Sequence, residues 1–595
     1  MIIASLAPRA GTCPRAAVLL AACTLVAAIA CPTDSARADT HAIVIDGDFS
    51  DWAGVAPLLV DSSGDGGGSG IDFGSLTVAD DGRHLFLRLE CGIETPLDEQ
   101  NNIVIYLDTD ANAGTGLSIA GIGAELEWRA GNRNGDFRAP GGGTTAIFHD
   151  AIRFRSSPTV AGSMHEIAIG RDTLPDGVSP LFLGSTVRIV IRDEAGGDQL
   201  PNASGGVSYT FDVGAPITTP EIPLGKEHPD DLRLVTWNVL NDTPWNAGEA
   251  PRFGRTLASI DPDIVCFQEI YNHTPAEATA LVTSWVAPDP GGSWQGVGVH
   301  DCHLVSRFPI IDSWAIGNNL AVRLDASTRL GSELFVVVTH LPCCANESGR
   351  QSEVDEILEF VRRAIAPGGV VTLLPETPIL FTGDMNLVLG PGPRDALLTG
   401  DIDNNASHGP DFAPDWDGTA LLDVLPRLTG APLGYTWRND QSSFWPGHLD
   451  YWMVSDAVLD VAKSYVLHSG EMSVAARNQA AILIDDSTRS DHLPFVLDVR
   501  PKAPSTLPFA RSDCNGDGAF DLSDAISVLL ALFGGPLLGC VDACDGNDDG
   551  TFDLADAIFI LDHRFSGGAE PPAPFPACSI DPTADALDCA APSGC

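Results

Sequence analysis

Between residues 40 and 215 the apolar positions fall in short runs: 41–45, 76–79, 84–89, 102–107, 124–128, 151–154, 165–169, 187–191 and 208–211. Gly- and Asp-rich turns separate them. Apolar runs of this length, bounded by turn residues, predict strands, and a succession without helical periodicity predicts an all-β sandwich. From about 231 to 500 the pattern changes. Apolar runs now alternate with helical stretches such as 349–365, where Val354, Ile357, Leu358 and Val361 share a face. This predicts a mixed α/β sandwich. Pro-rich 216–230 and 501–510 read as linkers. Residues 511–595 predict a small α module built on a repeat.

Polar groups follow the apolar runs of the central segment at repeated places. The run 232–235 precedes Asn238, 264–267 precedes Glu269, 334–338 precedes His340, and 379–381 precedes Asp384. A fifth segment is Ser490, Asp491 and His492. If the runs are buried strands, these side chains meet at strand ends around one cleft. Carboxylates, amides and histidines at one rim suit a hydrated divalent cation and acid–base work on a phosphate ester. Taken singly, each has a plain structural reading: Asn238 could cap a turn, Glu269 could pair with an Arg, and His340 could be a satisfied core histidine. Taken together they point to a site.

The repeat in the last segment has an offset of 32 residues. Loop one offers Asp513, Asn515, Asp517, Ala519 (through its carbonyl), Asp521 and Asp524; loop two offers Asp545, Asn547, Asp549, Thr551, Asp553 and Asp556. Ligands at positions 1, 3, 5, 7, 9 and 12 with Gly at 6 are the EF-hand arrangement for Ca²⁺. An apolar helix follows each loop. In the first segment Asp108, Asp110 and Asn112 alternate on one turn, which is either a Ca²⁺ loop or a turn held by Asx hydrogen bonds.

Charge and cysteines narrow the picture. Lys+Arg 33 against Asp+Glu 80 gives a net charge of −47, which opposes avid non-specific binding of polyanions. A bound cation inverts the field locally, so a nuclease is not excluded. Arg9 and Arg15, the apolar stretch 16–30 and the small-x-small step 36–38 predict an export signal over 1–38; a lipoprotein-type site at Cys31 is the alternative. No other run spans a bilayer, so the expectation is a soluble, extracytoplasmic protein. Of 14 Cys, eleven lie beyond that segment, five of them between 540 and 595 as expected staples. The odd number implies a free thiol, expected at Cys266. Adjacent Cys343 and Cys344 are expected in a structural disulfide, vicinal or with another partner such as Cys302.

Seven stretches carry a family resemblance: LVTWN (234–238), DIVCFQE (263–269), SRFPI (306–310), VVTH (337–340), TGDMN (382–386), HLDYW (448–452) and SDHLP (490–494). In order and spacing they resemble the endonuclease/exonuclease/phosphatase superfamily, which implies a central α/β sandwich of four layers, two packed sheets flanked by helices. The resemblance implies Mg²⁺ or Mn²⁺ on Glu269, with Asn238 and Asp491 beside it. It implies His492 as general base oriented by Asp450, Asp384 and Asn386 positioning nucleophile and phosphate, and His340 stabilising charge on a phosphoryl oxygen. Arg307 is expected to support the fold. His448 departs from the Arg or Lys of many relatives.

Two further resemblances frame the cleft. The stretch IDGDFSDW (45–52) with 75–90 resembles family-9-like carbohydrate-binding and DOMON-type sandwiches, implying polysaccharide or surface binding. The repeat resembles dockerin type I, implying a cohesin-type partner, or else a calcium-stapled terminal module. The leading functional expectation is a secreted metal-dependent endonuclease acting on nucleic acid. The alternatives are a phosphatase or sphingomyelinase-like phosphodiesterase on small or lipid esters, and a calcium-dependent surface or assembly protein with a vestigial catalytic domain. Residues 226–500 hold 17 Lys+Arg and 37 Asp+Glu, so a nucleic-acid groove would depend on Arg252, Arg255, Arg350 and Arg438. A lipid enzyme would need an apolar hairpin, for which Phe444 to Pro446 is the candidate.

Overall fold

The structure, a computed structural model, describes residues 42–62, 64–68, 70–212, 219–369, 371–503, 507–533, 535, 539–583, 587 and 589. The expected export segment 1–38 lies outside the described residues.

The central segment forms two six-stranded sheets. The first runs in the order Gln295–Val299, Cys302–Ser306, Ile264–Gln268, Leu232–Asn238, Phe495–Pro501, Leu459–Val466. The second runs Ile310–Ile316, Asn319–Leu324, Leu334–His340, Ile379–Asp384, Asp450–Val454, Leu422–Asp423. Each has one parallel pair at its centre: 232–238 beside 264–268, and 334–340 beside 379–384. A helix makes each crossover, Ala250–Ile260 in the first and Glu347–Ile365 in the second.

The two-residue period of a strand explains the four layers. Leu232, Leu234, Ile264 and Leu304 meet Val322, Val336, Leu380 and Trp452 between the sheets. Their alternating neighbours Val235, Trp237, Val265 and Phe267 lie under Phe253 and Leu257 of the first helix. Phe335, Val337, Phe381 and Met453 lie under Val354, Ile357, Leu358 and Val361 of the second, the face expected from the sequence. Strands buried on both sides read as unbroken apolar runs, which is why the sequence displayed them so plainly. Arg307 supports this frame, pairing with Asp261 and Asp289.

The segment before it is a β-sandwich of a five-stranded and a seven-stranded sheet, antiparallel throughout. Leu85, Leu87 and Leu89 of strand His84–Thr95 point between the sheets with Ile103, Ile105, Leu107 and Trp128. Phe86, on the opposite face, joins Ala79, Ala168, Ile43, Ile45 and Trp52 in the hydrophobic cluster of the central domain. Two strand expectations change here. Residues 151–154 fall at a 3₁₀ turn, His149–Ile152, closed by Arg153 at φ 46°. Residues 42–45 join no sheet of the sandwich; Ile45 bridges Leu433 of the central domain instead. Glu166 holds the following turn, accepting from the Asp46 and Gly47 amides and from the Trp52 indole.

The 216–230 linker is no free tether over its described part. Ile222 N donates to Thr429 O, and Lys226 Nζ lies 2.6 Å from Asp263. In the last segment the helices Leu522–Leu532 and Leu554–Leu561 follow their loops and pack together. Asp521 with Asp524, and Asp553 with Asp556, form capping boxes at their starts. Disulfides join Cys514 to Cys544 and Cys540 to Cys589, and Cys578 is also disulfide-bonded. Buried Arg511 sits between the loops, donating to the carbonyls of Asp542 and Asp545 and to Asp581. Cys266 is free and buried, as expected, and so are Cys91 and Cys302.

Candidate active site

The strand ends bring the polar residues together by register. His340 pairs with Asp384 across the parallel ladder, and Asp384 pairs with Asp450 across the antiparallel one. Asn238 ends its strand beside Gln268, so Glu269 emerges next to it from the first sheet. Glu269 takes φ 65°, which turns its carboxylate back over the strand ends. Gly383 permits the approach of Asp384: its φ is +128°, and a Cβ there would lie 2.0 Å from Thr339 O.

Asp384 is the centre of the site. Its Oδ2 accepts from Asn238 Nδ2 at 3.0 Å and lies 3.4 Å from His492 Nε2 and 3.6 Å from His340 Nε2. Asn238 thus ties the sheets together, because the same amide also donates to Glu269 Oε1 at 3.0 Å. Its Oδ1 accepts from Leu240 N. The second Glu269 oxygen accepts from Asn241 N at 2.8 Å.

Each histidine is backed by a carboxylate. His492 Nδ1 lies 2.8 Å from Asp450 Oδ2, leaving Nε2 facing the cleft. Burial opposes a charge on His492, but Asp450 and Asp384 outweigh it and raise the imidazole to about 10. His340 Nδ1 lies 2.5 Å from Asp301 Oδ2. Burial opposes its charge too, while the Asp301 hydrogen bond and the charge of Asp384 raise it to about 9. Burial, the largest influence, pushes Asp384 up.

Asp301 joins the site although the sequence alone did not point to it. It stands immediately before the strand Cys302–Ser306, so the strand-end logic applied to the other runs could have found it. Besides orienting His340 it accepts from Glu269 N at 3.2 Å. Beyond it opens a cavity of about 480 Å³, with Tyr271, His300, Asp301, His340, Pro342 and Glu353 in its wall.

Other expected residues stand at the margin. Asn386 spends its side chain on Leu341 O, while its amide N donates to Asp384 Oδ1. The Asp491 carboxylate accepts from the Trp437 indole at 3.2 Å. Ser490 Oγ donates to Asn238 O and accepts from His492 N, fixing the last segment to the first. His448 is buried, stacked on Tyr451 with ring centroids 3.8 Å apart, and desolvation lowers it to about 3, so it is a neutral core histidine. Cys343 and Cys344 correct an expectation: they are exposed free thiols with sulfurs 2.6 Å apart, longer than the 2.05 Å bond of Cys514–Cys544. The hydrogen bond from Cys344 pushes Cys343 up to about 11, so it is no nucleophile near neutrality.

The donor set suits a hard divalent cation. Ligand atoms of Asp384, Asp450 and His492 lie within 4.8 Å of one another, and Asp450 Oδ1 is buried without a hydrogen-bond partner. Three carboxylates, counting Glu269, converge on one cleft, and oxygen donors are what Mg²⁺ or Mn²⁺ takes. Such a cleft, with histidines held by carboxylates on either side, is that of a metal-dependent phosphoester hydrolase. Residues 235–492 match the Endonuclease/Exonuclease/phosphatase family, and they form a domain of that family within the chain.

No curated protein sequence matches the chain. Solved structures similar to it include the human Nocturnin catalytic domain with bound sulfate, at 17% identity, 46% of this chain, 95% of that one and a TM-score of 0.28. Beta toxin from Staphylococcus aureus matches at 14% identity, over 45% of this chain and 99% of that one, with a TM-score of 0.28. Sphingomyelinase C from Streptomyces griseocarneus matches at 16%, over 45% and 99%, with a TM-score of 0.26.

Proposed function

We propose that the cleft hydrolyses a phosphoester by direct attack of water, with His492 as base and His340 as the donor to the phosphoryl group. The observation that carries this reading is the pair of His–Asp couples on either side of Asp384. Asp450 holds the His492 ring with Nε2 toward the cleft; once its own proton has been displaced by a divalent cation, Nε2 takes the proton of the attacking water. The water oxygen bonds to phosphorus as the ester P–O bond breaks. His340, charged through Asp301, donates from Nε2 to a phosphoryl oxygen and offsets developing charge. Asn238 and Asn386 keep Asp384 in place between them. Glu269, joined to Asp384 through Asn238, would hold Mg²⁺ or Mn²⁺ with Asp491 toward its waters, and the cation would supply positive charge to the phosphoryl and leaving oxygens. Asn238 would turn its amide oxygen inward to take part.

For the substrate, the arginines proposed for a nucleic-acid groove are engaged elsewhere. Arg252 pairs with Asp485, Arg255 with Asp486 and Arg438 with Asp440. Arg350 is buried on the carbonyls of Pro342, Cys344 and Val388. The favoured substrate is therefore a small ester presenting one phosphate. Trp445 is buried between the domains, which removes the candidate lipid hairpin. Nucleic-acid cleavage is the second reading, supported by Tyr271, a residue 53% exposed beside the His340 cavity, whose ring would stack on a base. Purified full-length chain with Mg²⁺, offered bis-p-nitrophenyl phosphate, RNA, plasmid DNA and sphingomyelin, separates the readings. Turnover of the small diester above the polymers is expected; no turnover with Mg²⁺, Mn²⁺ or Ca²⁺ sinks the proposal.

The flanking modules are read in the same spirit. Export of the chain is supported by its disulfides. Among the described residues no helix is long and apolar enough to cross a membrane. We read the two C-terminal loops as Ca²⁺ sites, and the exposed Ile526, Leu530 and Ile558 of their helices as a docking stripe for a cohesin-type partner. Polysaccharide binding by the sandwich rests on its resemblance alone.

A further inference from the structure

Far along the chain from the cleft, the sandwich carries another group of carboxylates. Asp108 ends the strand Ile103–Asp108, Asp110 lies in the turn after it, and Glu125 stands between Ile122–Ala124 and Leu126–Arg129. Ligand oxygens of the three lie within 4.8 Å of one another. Asp108 is 0% exposed and Glu125 1%. Among the described residues no Lys, Arg or His forms an ion pair with any of them; Arg188 stands opposite Asp108 in the strand register and is the least of the influences on it.

The neighbouring donors do not satisfy these oxygens. Asp108 accepts from the amides of Asn112 and Gly123 at 2.9 and 3.4 Å. Asp110 Oδ1 accepts from Asn112 N at 2.9 Å, and the Thr115 hydroxyl lies 3.1 and 3.0 Å from its two oxygens. Glu125 Oε2 accepts from Thr109 N at 2.8 Å. Glu125 Oε1, however, is buried and accepts no hydrogen bond. Thr115 has one proton to give, and Asp110 already competes for it. A buried charge left without a partner is strongly destabilising. Either the carboxyls hold protons or a cation lies among them.

We propose that Asp108, Asp110 and Glu125 bind a calcium ion that pins the 108–116 turn to the strand edge at Glu125. The donors are all oxygen, which selects a hard cation. Three carboxylates on one turn and strand edge offer the many oxygen atoms in irregular array that Ca²⁺ accepts, whereas Mg²⁺ demands near-octahedral geometry and keeps several waters. The turn lies close against the strand edge before Glu125, since a Cβ on Gly123 would lie 2.6 and 2.1 Å from the carbonyls of Asn112 and Thr115. This ion is separate from that of the cleft and from those of the C-terminal loops. It braces the sheet in which the next strand carries Trp128.

The test uses the full chain stripped by chelator and returned to Ca²⁺. Equilibrium dialysis should find one ion fewer per chain in Glu125→Gln than in the parent, and a smaller rise in Tm on adding Ca²⁺. In chelator, Glu125→Gln should melt at or above the parent, because one of three mutually repelling carboxylates is gone. Asp110→Asn, on the solvent side of the group, serves if Glu125→Gln does not fold. Hydrogen exchange adds a local readout: Ca²⁺ should protect 108–125 even when Asp513→Asn and Asp545→Asn disable the C-terminal loops. Equal ion counts with an equal Tm response, or no Ca²⁺-dependent protection of that segment, would overturn the proposal.

Discussion

The indole of Trp445 stands edge-on to the ring of Phe154, with centroids 4.8 Å apart. Trp445 comes from the loop that leads into Asp450, and Phe154 from the N-terminal sandwich. Trp128 lies behind, 6.3 Å from the same indole. Around this contact His448 N donates to Thr159 Oγ1, the Arg133 guanidinium covers the Phe444 ring at 3.9 Å, and His149 Nε2 lies 3.2 Å from Ser442 O. The other side of the loop grips the site: Trp437 bridges His492, and Thr436 Oγ1 accepts from Asp450 N. The sandwich is a wall behind the His492–Asp450 couple.

Truncating Trp445 to Ala should therefore cost about 3–5 kcal/mol, the usual range for a buried aromatic. It should also lower turnover by loosening the loop, whereas Trp445→Phe should retain most of both. Urea unfolding and kcat on the small diester measure the two effects. An unchanged unfolding midpoint for the Ala variant would show that the wedge carries no stability.

Asp450→Asn and His492→Gln should each slow hydrolysis by roughly 10²–10⁴, the range for losing an oriented general base. Their combined loss should be little greater than either alone, because both act on one proton. Initial rates of the two single variants and the double variant decide this. Multiplying effects would mean that the residues act separately.

Protonation of the metal-free cleft gives a pH prediction. His492 is raised from 6.5 to about 10 and His340 to about 9. Below pH 6.5 each is charged in the folded and the unfolded chain, so their ion pairs contribute in full. The contribution is lost as pH rises through about 9–10. Chelated protein should lose stability over that window, and His492→Gln should flatten the loss. A divalent cation competes with the same protons. Mg²⁺ should accordingly bind more tightly as pH rises and release protons, which calorimetry in two buffers of unlike ionisation enthalpy would register.

Asp301→Asn removes the hydrogen bond that raises His340. With the cation bound and His492 deprotonated, His340 should then lose its proton at lower pH, moving the alkaline limb of the rate profile down while the acid limb stays. A profile merely scaled down, with both limbs in place, would mean that Asp301 acts on the fold alone.

The C-terminal loops should take up Ca²⁺, so the parent chain should melt higher with Ca²⁺ than with chelator. The first residues of the loops, Asp513 and Asp545, already gather amide donors from Gly518 and Gly550. Asp513→Asn with Asp545→Asn should remove most of the response of this module, read as the exposure of Trp-free residues 511–583 by hydrogen exchange. Identical exchange with and without Ca²⁺ in the parent would argue against the reading.

Much of the cleft was legible because buried strands leave a strong mark. Runs such as 334–338 are apolar on both faces, and the polar residue that ends each run must lie where the strand meets solvent. The pairing of His492 with Asp450 was also legible, through family resemblance. Asp301 was not. Its partner His340 is 39 residues away, and nothing local links the two until the sheets are packed.

The sequence alone determined the elements and their chemistry: which runs are strands, which face of 347–365 is buried, and that carboxylates, amides and histidines end those strands. Local periodicity and residue type suffice for that. Only the tertiary structure decided the rest. Four candidate arginines proved to be engaged, Trp445 proved to be a wedge between domains, and Glu125 joined Asp108 and Asp110. Each of these depends on which distant side chain a charge or ring meets, and that is fixed by sheet register and layer packing rather than by any stretch of sequence.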